Sequence, residues 1–197
     1  MKRRNLIAAF VFSICLSPTA EAQQPPLDIK VKADKKVAEL PGGPLFWRVE
    51  TFPTAAEAQA ATSSHSLVIE TLGKVWLFTL GQQAQPSRGG TKVAEVGPLA
   101  KVEAGEYLLR VNEGHGSPGG MTPVHTHPGS EAFYVLEGEL NQKTPHGVSR
   151  VTAGQSLAGH GADSPMQVFT SGSTNAAWFA LFVLDASKPV TSPAKFD

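Results

Sequence analysis

Two histidines separated by one residue, His125 and His127, have the spacing in this chain that best suits metal chemistry. Residues i and i+2 of an extended strand point to the same face, so both imidazoles can reach one point. Glu131 follows after 128–130, a Pro-Gly-Ser turn that can return its carboxylate to that point. Two imidazoles and one carboxylate on one side of a metal ion leave other coordination positions open. A bare His-x-His pair beside a loop glutamate is equally compatible with two histidines that bind nothing.

The surrounding residues extend this pair into a longer pattern, namely Gly119, five residues, His125-x-His127, three residues, Glu131, six residues and Gly138. This spacing resembles the first motif of the cupin superfamily, and segment 131–140 resembles that family's strand, turn and strand. The resemblance implies a double-stranded β-helix (cupin or jelly-roll) barrel over residues 91–186. It also implies that His125, His127 and Glu131 bind a divalent metal inside the barrel. The metal would be Fe, Mn, Zn, Ni or Co, because these ligands suit several ions.

The second motif of that family is atypical in this chain, because its metal-binding histidine is missing. Aligning Pro165 with the residue before the missing histidine places Met166 at the fourth ligand position. Gln167 is the alternative, since its amide oxygen can bind a metal, but neighbouring strand residues face opposite sides and at most one can point inward. His160 is a candidate for a displaced fourth ligand, although it lies in a glycine-flanked turn. We therefore predict a three-ligand site lined by Met166 or Gln167, or a metal site that has decayed.

The predicted architecture is all-β, because short β-rich segments recur between turn signals from Thr91 onward. Residues 45–90 are predicted to form an N-terminal extension of strand, helix and hairpin that packs on the barrel. Residues 23–44 have the composition of an arm or linker, and residues 187–197 that of a C-terminal tail. The apolar run 176–184 suits either the core or the interface of a homodimer. His115, on a glycine-rich loop, is a weak candidate for an acid–base group near the metal.

The N-terminus has the three parts of a secretory signal peptide. Basic residues 2–4 precede an apolar stretch over residues 6–16, and Ala20-Glu21-Ala22 fits a cleavage site. An apolar stretch this short cannot span about 30 Å of hydrocarbon. We therefore predict cleavage after Ala22, a periplasmic or secreted protein and no membrane insertion of the mature chain. The single cysteine, Cys15, would leave with the signal peptide, which excludes thiol chemistry.

Charge and composition narrow the classes of partner. The chain has 17 basic and 17 acidic residues among 197, so its formal net charge is zero. A neutral chain lacks the basic surface that nucleic-acid binding requires. The expected partner is therefore a small-molecule ligand or substrate.

Three functions remain open from the sequence. The first is a metal-dependent enzyme of the dioxygenase type, because a three-ligand site leaves room for both a substrate and O₂. The second is a non-catalytic binding or sensing protein that holds a small ligand in the barrel. The third is a metal-dependent isomerase or lyase, for which the sequence offers no discriminating base.

Overall fold

The computed structural model describes residues 25–196, which form fourteen strands and one short helix. In chain order these elements are β1 (Asp28–Val37), β2 (Phe46–Phe52), α1 (Ala55–Ala60), β3 (Ser66–Thr71), β4 (Lys74–Gly81), β5 (Thr91–Val96), β6 (Tyr107–Gly116), β7 (His125–Thr126), β8 (Gly129–Glu137), β9 (Glu139–Thr144), β10 (Gly147–Thr152), β11 (Ser156–Ala158), β12 (Gln167–Thr170), β13 (Ala176–Asp185) and β14 (Ser192–Pro193). The predicted all-β class is confirmed. No helix among these residues has the length and apolar character needed to cross a membrane.

The described residues form four antiparallel sheets, of which one is the two-stranded pair β14-β7 and the other three form three layers. The central sheet has the strand order β1-β6-β13-β8-β11, the short sheet has the order β10-β9-β12, and the outer sheet has the order β3-β4-β2-β5. The central and short sheets enclose the double-stranded β-helix barrel. The outer sheet covers the opposite face of the central sheet, so residues 45–90 build a third layer.

Strand β13 explains why the run 176–184 is continuously apolar. It pairs with β6 on one side and with β8 on the other, so it is a central strand. Phe179 and Leu181 pack toward the outer sheet, whereas Trp178 and Phe182 pack toward the short sheet. Since both faces of the strand are covered, both sets of alternating positions must be apolar. The run is therefore core, and it gives no support to the predicted homodimer.

The N-terminal extension forms the predicted strand, helix and hairpin. Helix α1 begins after Thr54, whose Oγ1 accepts a hydrogen bond of 3.2 Å from the backbone N–H of Glu57. The hairpin turns at Leu72 and Gly73, and both residues have positive φ. A two-residue turn of this kind matches the twist of the strands that it joins.

Three predicted boundaries need correction. The segment 23–44 is more than an arm or linker, because it contains β1, an edge strand that pairs with β6. Residues 91–96 form β5, which pairs with β2 in the outer sheet instead of opening the barrel. The tail 187–197 contains β14, which pairs with β7. All three pairings join segments that are far apart in sequence, and local composition does not reveal such pairings.

Candidate metal centre

The three predicted ligands lie near one another in the sequence and in space, and all three line the same cavity. His125 lies in β7, His127 directly follows that strand, and Glu131 lies in β8. All three are almost fully buried, with exposed fractions of 8%, 4% and 3%. Two of them lie beside strand β13, because Glu131 pairs across the central sheet with Phe182, whose ring contacts that of His127 edge-on at 5.0 Å.

Each imidazole is held through Nδ1 by a backbone carbonyl. The Nδ1 of His125 donates to the oxygen of Pro123 at 2.8 Å, and the Nδ1 of His127 donates to the oxygen of Val190 at 2.6 Å. A carbonyl oxygen can only accept, so Nδ1 carries the proton and Nε2 of the neutral ring keeps its lone pair. The Nε2 of His127 is buried and has no hydrogen-bond partner among the described residues. Metal-binding histidines are commonly oriented in this way.

The separations between these groups are close to those of ligands that share an ion. The ring centroids of His125 and His127 are 4.8 Å apart, and Nε2 of His127 lies 3.7 Å from Oε1 of Glu131. Two imidazoles bound to one ion at about 2.1 Å have centroids about 5 Å apart. Within residues 25–196, however, the side chains as placed form no ready group of three His, Cys, Asp or Glu ligands. The residues fit a small cation only if they draw together slightly.

Burial favours the neutral forms of His127 and Glu131, whose side chains are 3.7 Å apart. It lowers the pKa of His127 to about 4, and the charge of His125 acts in the same direction, against the Val190 carbonyl. Burial raises the pKa of Glu131 to about 8, although the hydrogen bond from Gln142 acts in the opposite direction and lowers it. The 3.7 Å contact is therefore not an ion pair at neutral pH. A bound divalent cation would reverse this preference for Glu131, because a nearby positive charge stabilises the carboxylate.

The two candidates for the fourth position point in different directions. Met166 forms an antiparallel bridge with His125, with backbone hydrogen bonds of 2.9 and 2.8 Å. Directly opposed residues project to the same face, so the fully buried Met166 side chain lies on the His125 side. The amide of Gln167 instead donates to the carbonyl of Thr122 at 2.9 Å. Of the two, Met166 occupies the place beside the site.

Gln142 in β9 belongs to the site although the sequence analysis did not select it. Its Nε2 lies 3.3 Å from Oε2 of Glu131 and 3.2 Å from the sulfur of Met166, and its side chain is buried. It therefore joins the carboxylate to the residue at the fourth position. The only sequence signal was alternation along β9, which places Gln142 on the same face as the core residue Leu140.

Two other histidines considered from the sequence lie elsewhere. His160 has its ring 5.9 Å from that of His146. His115 faces the outer side of the central sheet, where its Nε2 lies 2.8 Å from Oε1 of Glu113. The other oxygen of that carboxylate accepts from Thr71 of the outer sheet at 2.5 Å. His115 is therefore part of a contact between two sheets, and it does not line the cavity that the three candidate ligands share.

A cavity of about 440 Å³ opens beside the three candidate ligands. Its walls include Phe133, Trp178 and Phe182 from the central sheet. Thr191 and Pro193 of the C-terminal segment close another side. This volume suits a small organic molecule.

Comparison with known proteins supports the family given by the motif. Residues 112–162 match the family model described as "Cupin domain", and this segment contains all three candidate ligands. No curated protein matches the sequence.

Solved structures align with parts of the chain. A cupin-like protein from Thermotoga maritima is 12% identical with a TM-score of 0.40, and the alignment covers 45% of this chain and 65% of that protein. The polyketide cyclase RemF from Streptomyces resistomycificus is 22% identical with a TM-score of 0.37, covering 45% and 62%. The DMSP lyase DddQ from Ruegeria pomeroyi is 18% identical with a TM-score of 0.38, covering 44% and 43%. The chain thus spans less than two thirds of each, and these similarities carry no argument about activity. Residues 112–162 are thus similar to a cupin domain, and the fold that contains them is a double-stranded β-helix.

Proposed function

We propose that this chain binds one divalent metal through His125, His127 and Glu131 and uses it on a small organic molecule held in the cavity. The observation that carries the proposal is the anchoring of both imidazoles through Nδ1, which leaves Nε2 available as a ligand. The buried and unpartnered Nε2 of His127 adds to it, because a buried acceptor without a partner is costly unless a ligand satisfies it. Fe, Mn, Zn, Ni and Co all suit these ligands.

The proposed activity is of the dioxygenase type. A metal held by three side chains would supply a Lewis acid with open positions for a substrate and O₂. The chain's own residues would do the positioning. Gln142 holds one oxygen of Glu131, and Phe182 packs against the ring of His127. Apolar walls would keep water away from the substrate.

A non-catalytic binding protein is the second candidate, and Met166 favours it. The thioether stands at the fourth position, where it is a soft and weak partner for a metal that binds carboxylate. Among the described residues, the ionisable groups that line the cavity are the three proposed ligands. An isomerase or lyase would need a separate acid or base there, so this alternative has less support.

Elemental analysis of the chain, purified without an affinity tag or added chelator, tests the metal site. We expect about one equivalent of one metal, and we expect its loss in His127→Ala. His160→Ala is the matched control, because that histidine lies beside His146 and outside the cavity. Equal metal content in all three proteins would contradict the site. O₂ consumption by the loaded protein, screened against small organic compounds, would then separate the enzyme from the binding protein.

We also propose that the chain is exported. The predicted signal peptide, residues 1–22, lies outside the residues that the structure describes. Mass spectrometry of the protein recovered from the periplasm should give an N-terminus at Gln23. An intact N-terminus on cytoplasmic protein would contradict export.

A further inference from the structure

We propose that the cavity accepts a neutral, compact and mainly apolar molecule that carries a hydrogen-bond donor such as a hydroxyl group, and that in the absence of metal it rejects phosphorylated compounds. This inference deepens the proposed function and rests on it only in taking this cavity as the ligand site. Two features of the lining carry it. The first is that the walls carry no lysine or arginine. The second is that one polar atom of the lining, Oδ1 of Asn112, has no hydrogen-bond partner among the described residues.

The walls are apolar over most of their area. Aromatic rings come from Phe133, Trp178 and Phe182, and aliphatic groups come from residues such as Ile29, Val124 and Val168. An apolar wall of this kind gains free energy from excluding water when a hydrocarbon fills it. The cavity could hold a molecule of two fused or bridged rings within its 440 Å³.

No lysine or arginine of the described chain lines the cavity. A phosphate group buried among apolar side chains needs a cation or several backbone N–H donors. The arginine on the same face of β6, Arg110, is bound through Nη2 to Asp34 at 2.7 Å, and its buried Nε has no hydrogen-bond partner among the described residues. Its charge is therefore already paired. Without a bound metal, a dianion in this cavity would be desolvated without compensation.

The unsatisfied atom is the side-chain oxygen of Asn112. Asn112 lies on β6 opposite Ala180, which in turn lies opposite Phe133, and all three residues line the cavity. Its Oδ1 is buried and has no hydrogen-bond partner in the described part of the chain. An amide oxygen accepts hydrogen bonds, so the missing partner is a donor. A hydroxyl or N–H group on the ligand would supply it.

Three probes with one hydrocarbon frame test the inference on the unmodified chain. Borneol has a hydroxyl donor, bornyl methyl ether has the same oxygen without a donor, and bornyl phosphate has a dianion. Binding is measured by calorimetry in a buffer with chelator, so that the result does not depend on metal. Fluorescence of Trp178 reports on the cavity, and Trp178→Phe identifies its signal, since Trp47 and Trp76 lie in the other core.

We expect borneol to bind, the ether to bind about tenfold more weakly because Asn112 stays unpaired, and the phosphate not to bind. In Asn112→Leu, the difference between alcohol and ether should disappear while the ether still binds. Binding of the phosphate as tightly as the alcohol, equal binding of alcohol and ether, or no binding of any probe would overturn the inference. Elemental analysis of the same preparation before chelation shows separately whether the metal site fails.

Discussion

His127 depends on Val190 for its orientation. The bond of 2.6 Å from its Nδ1 to the Val190 carbonyl joins a proposed metal ligand to a segment that is 63 positions further along the chain. The segment is held there by β14, whose Pro193 pairs with His125, and by a bond of 3.0 Å from the N–H of Ala194 to the carbonyl of Val124. The C-terminal segment is therefore part of the site.

Removing this segment should weaken metal binding without unfolding the barrel. A chain that ends at Pro189 loses the carbonyl that fixes His127, and such losses typically cost ten- to a hundredfold in metal affinity. A chain that ends at Lys195 keeps both β14 and Val190, and it serves as the matched control. Metal titration with a competing chelator measures the affinities. Equal affinities of the two truncated chains would mean that Val190 does not position the ring.

Met166→His should tighten metal binding by about tenfold or more, because it adds a fourth ligand, an imidazole, on the face that Met166 shares with His125. Gln167→His is the matched control, since the Gln167 side chain is directed toward the Thr122 carbonyl. The same chelator competition measures both variants. If Gln167→His tightens metal binding and Met166→His does not, then the side chain at position 167, and not the one at position 166, points toward the metal.

The metal-free chain should lose stability as the pH rises from 6.5 to 8. Folding raises the pKa of Glu131 from 4.5 to about 8, so its stabilisation is complete below pH 4.5 and is lost as the pH rises through 8. Folding lowers the pKa of His127 from 6.5 to about 4, so its effect on stability is complete above pH 6.5. Between pH 6.5 and 8, therefore, only Glu131 of these two residues changes the stability. The free energy of unfolding should fall there by up to about 1 kcal/mol per pH unit.

Urea unfolding at several pH values in chelator measures this slope. Glu131→Gln should flatten it, whereas Glu137→Gln, an exposed position on the same strand, should leave it unchanged. An unchanged slope in Glu131→Gln would mean that another group titrates in this window.

Gly114→Ala should destabilise the barrel. A Cβ at Gly114 would lie 2.2 Å from the indole of Trp178, so the ring would have to move within a packed core. Overpacking of this kind costs about 1–3 kcal/mol, which lowers the melting temperature by about 2–4 °C per kcal/mol in a chain of this size. Gly105→Ala meets no atom within 4 Å and serves as the control. A melting temperature equal to that of the control would show that the indole has free space.

The sequence selected the residues of the proposed site that lie close together in the chain, and the metal site itself stays a prediction. His125, His127 and Glu131 lie within seven consecutive positions, and the structure brings them together. Gln142 and Val190 could not be selected, because their roles arise from pairing between distant segments. Neither residue type indicates a metal site by itself.

Features of the fold that depend on pairing between distant segments were also missed. Strand β1 looked like a linker because it carries lysines such as Lys30, Lys32 and Lys36. Lysines are common on edge strands, where they discourage pairing with other chains. The lysines that discourage pairing at this edge therefore also gave β1 the composition of a linker. The helix and the hairpin predicted within residues 45–90 are both present, because the sequence signals for such elements lie within a few residues.

The central sheet has a consequence for folding. Because both of its faces are covered, detaching the outer sheet would expose Phe179, Leu181 and Val183 to water. Neither layer has a complete core without the other, so the chain should unfold in one cooperative transition. The segment that matches the family model, residues 112–162, lacks β13, which contributes buried residues to both cores. Residues 112–162, which carry the motif, are therefore expected not to fold without the strands that surround them.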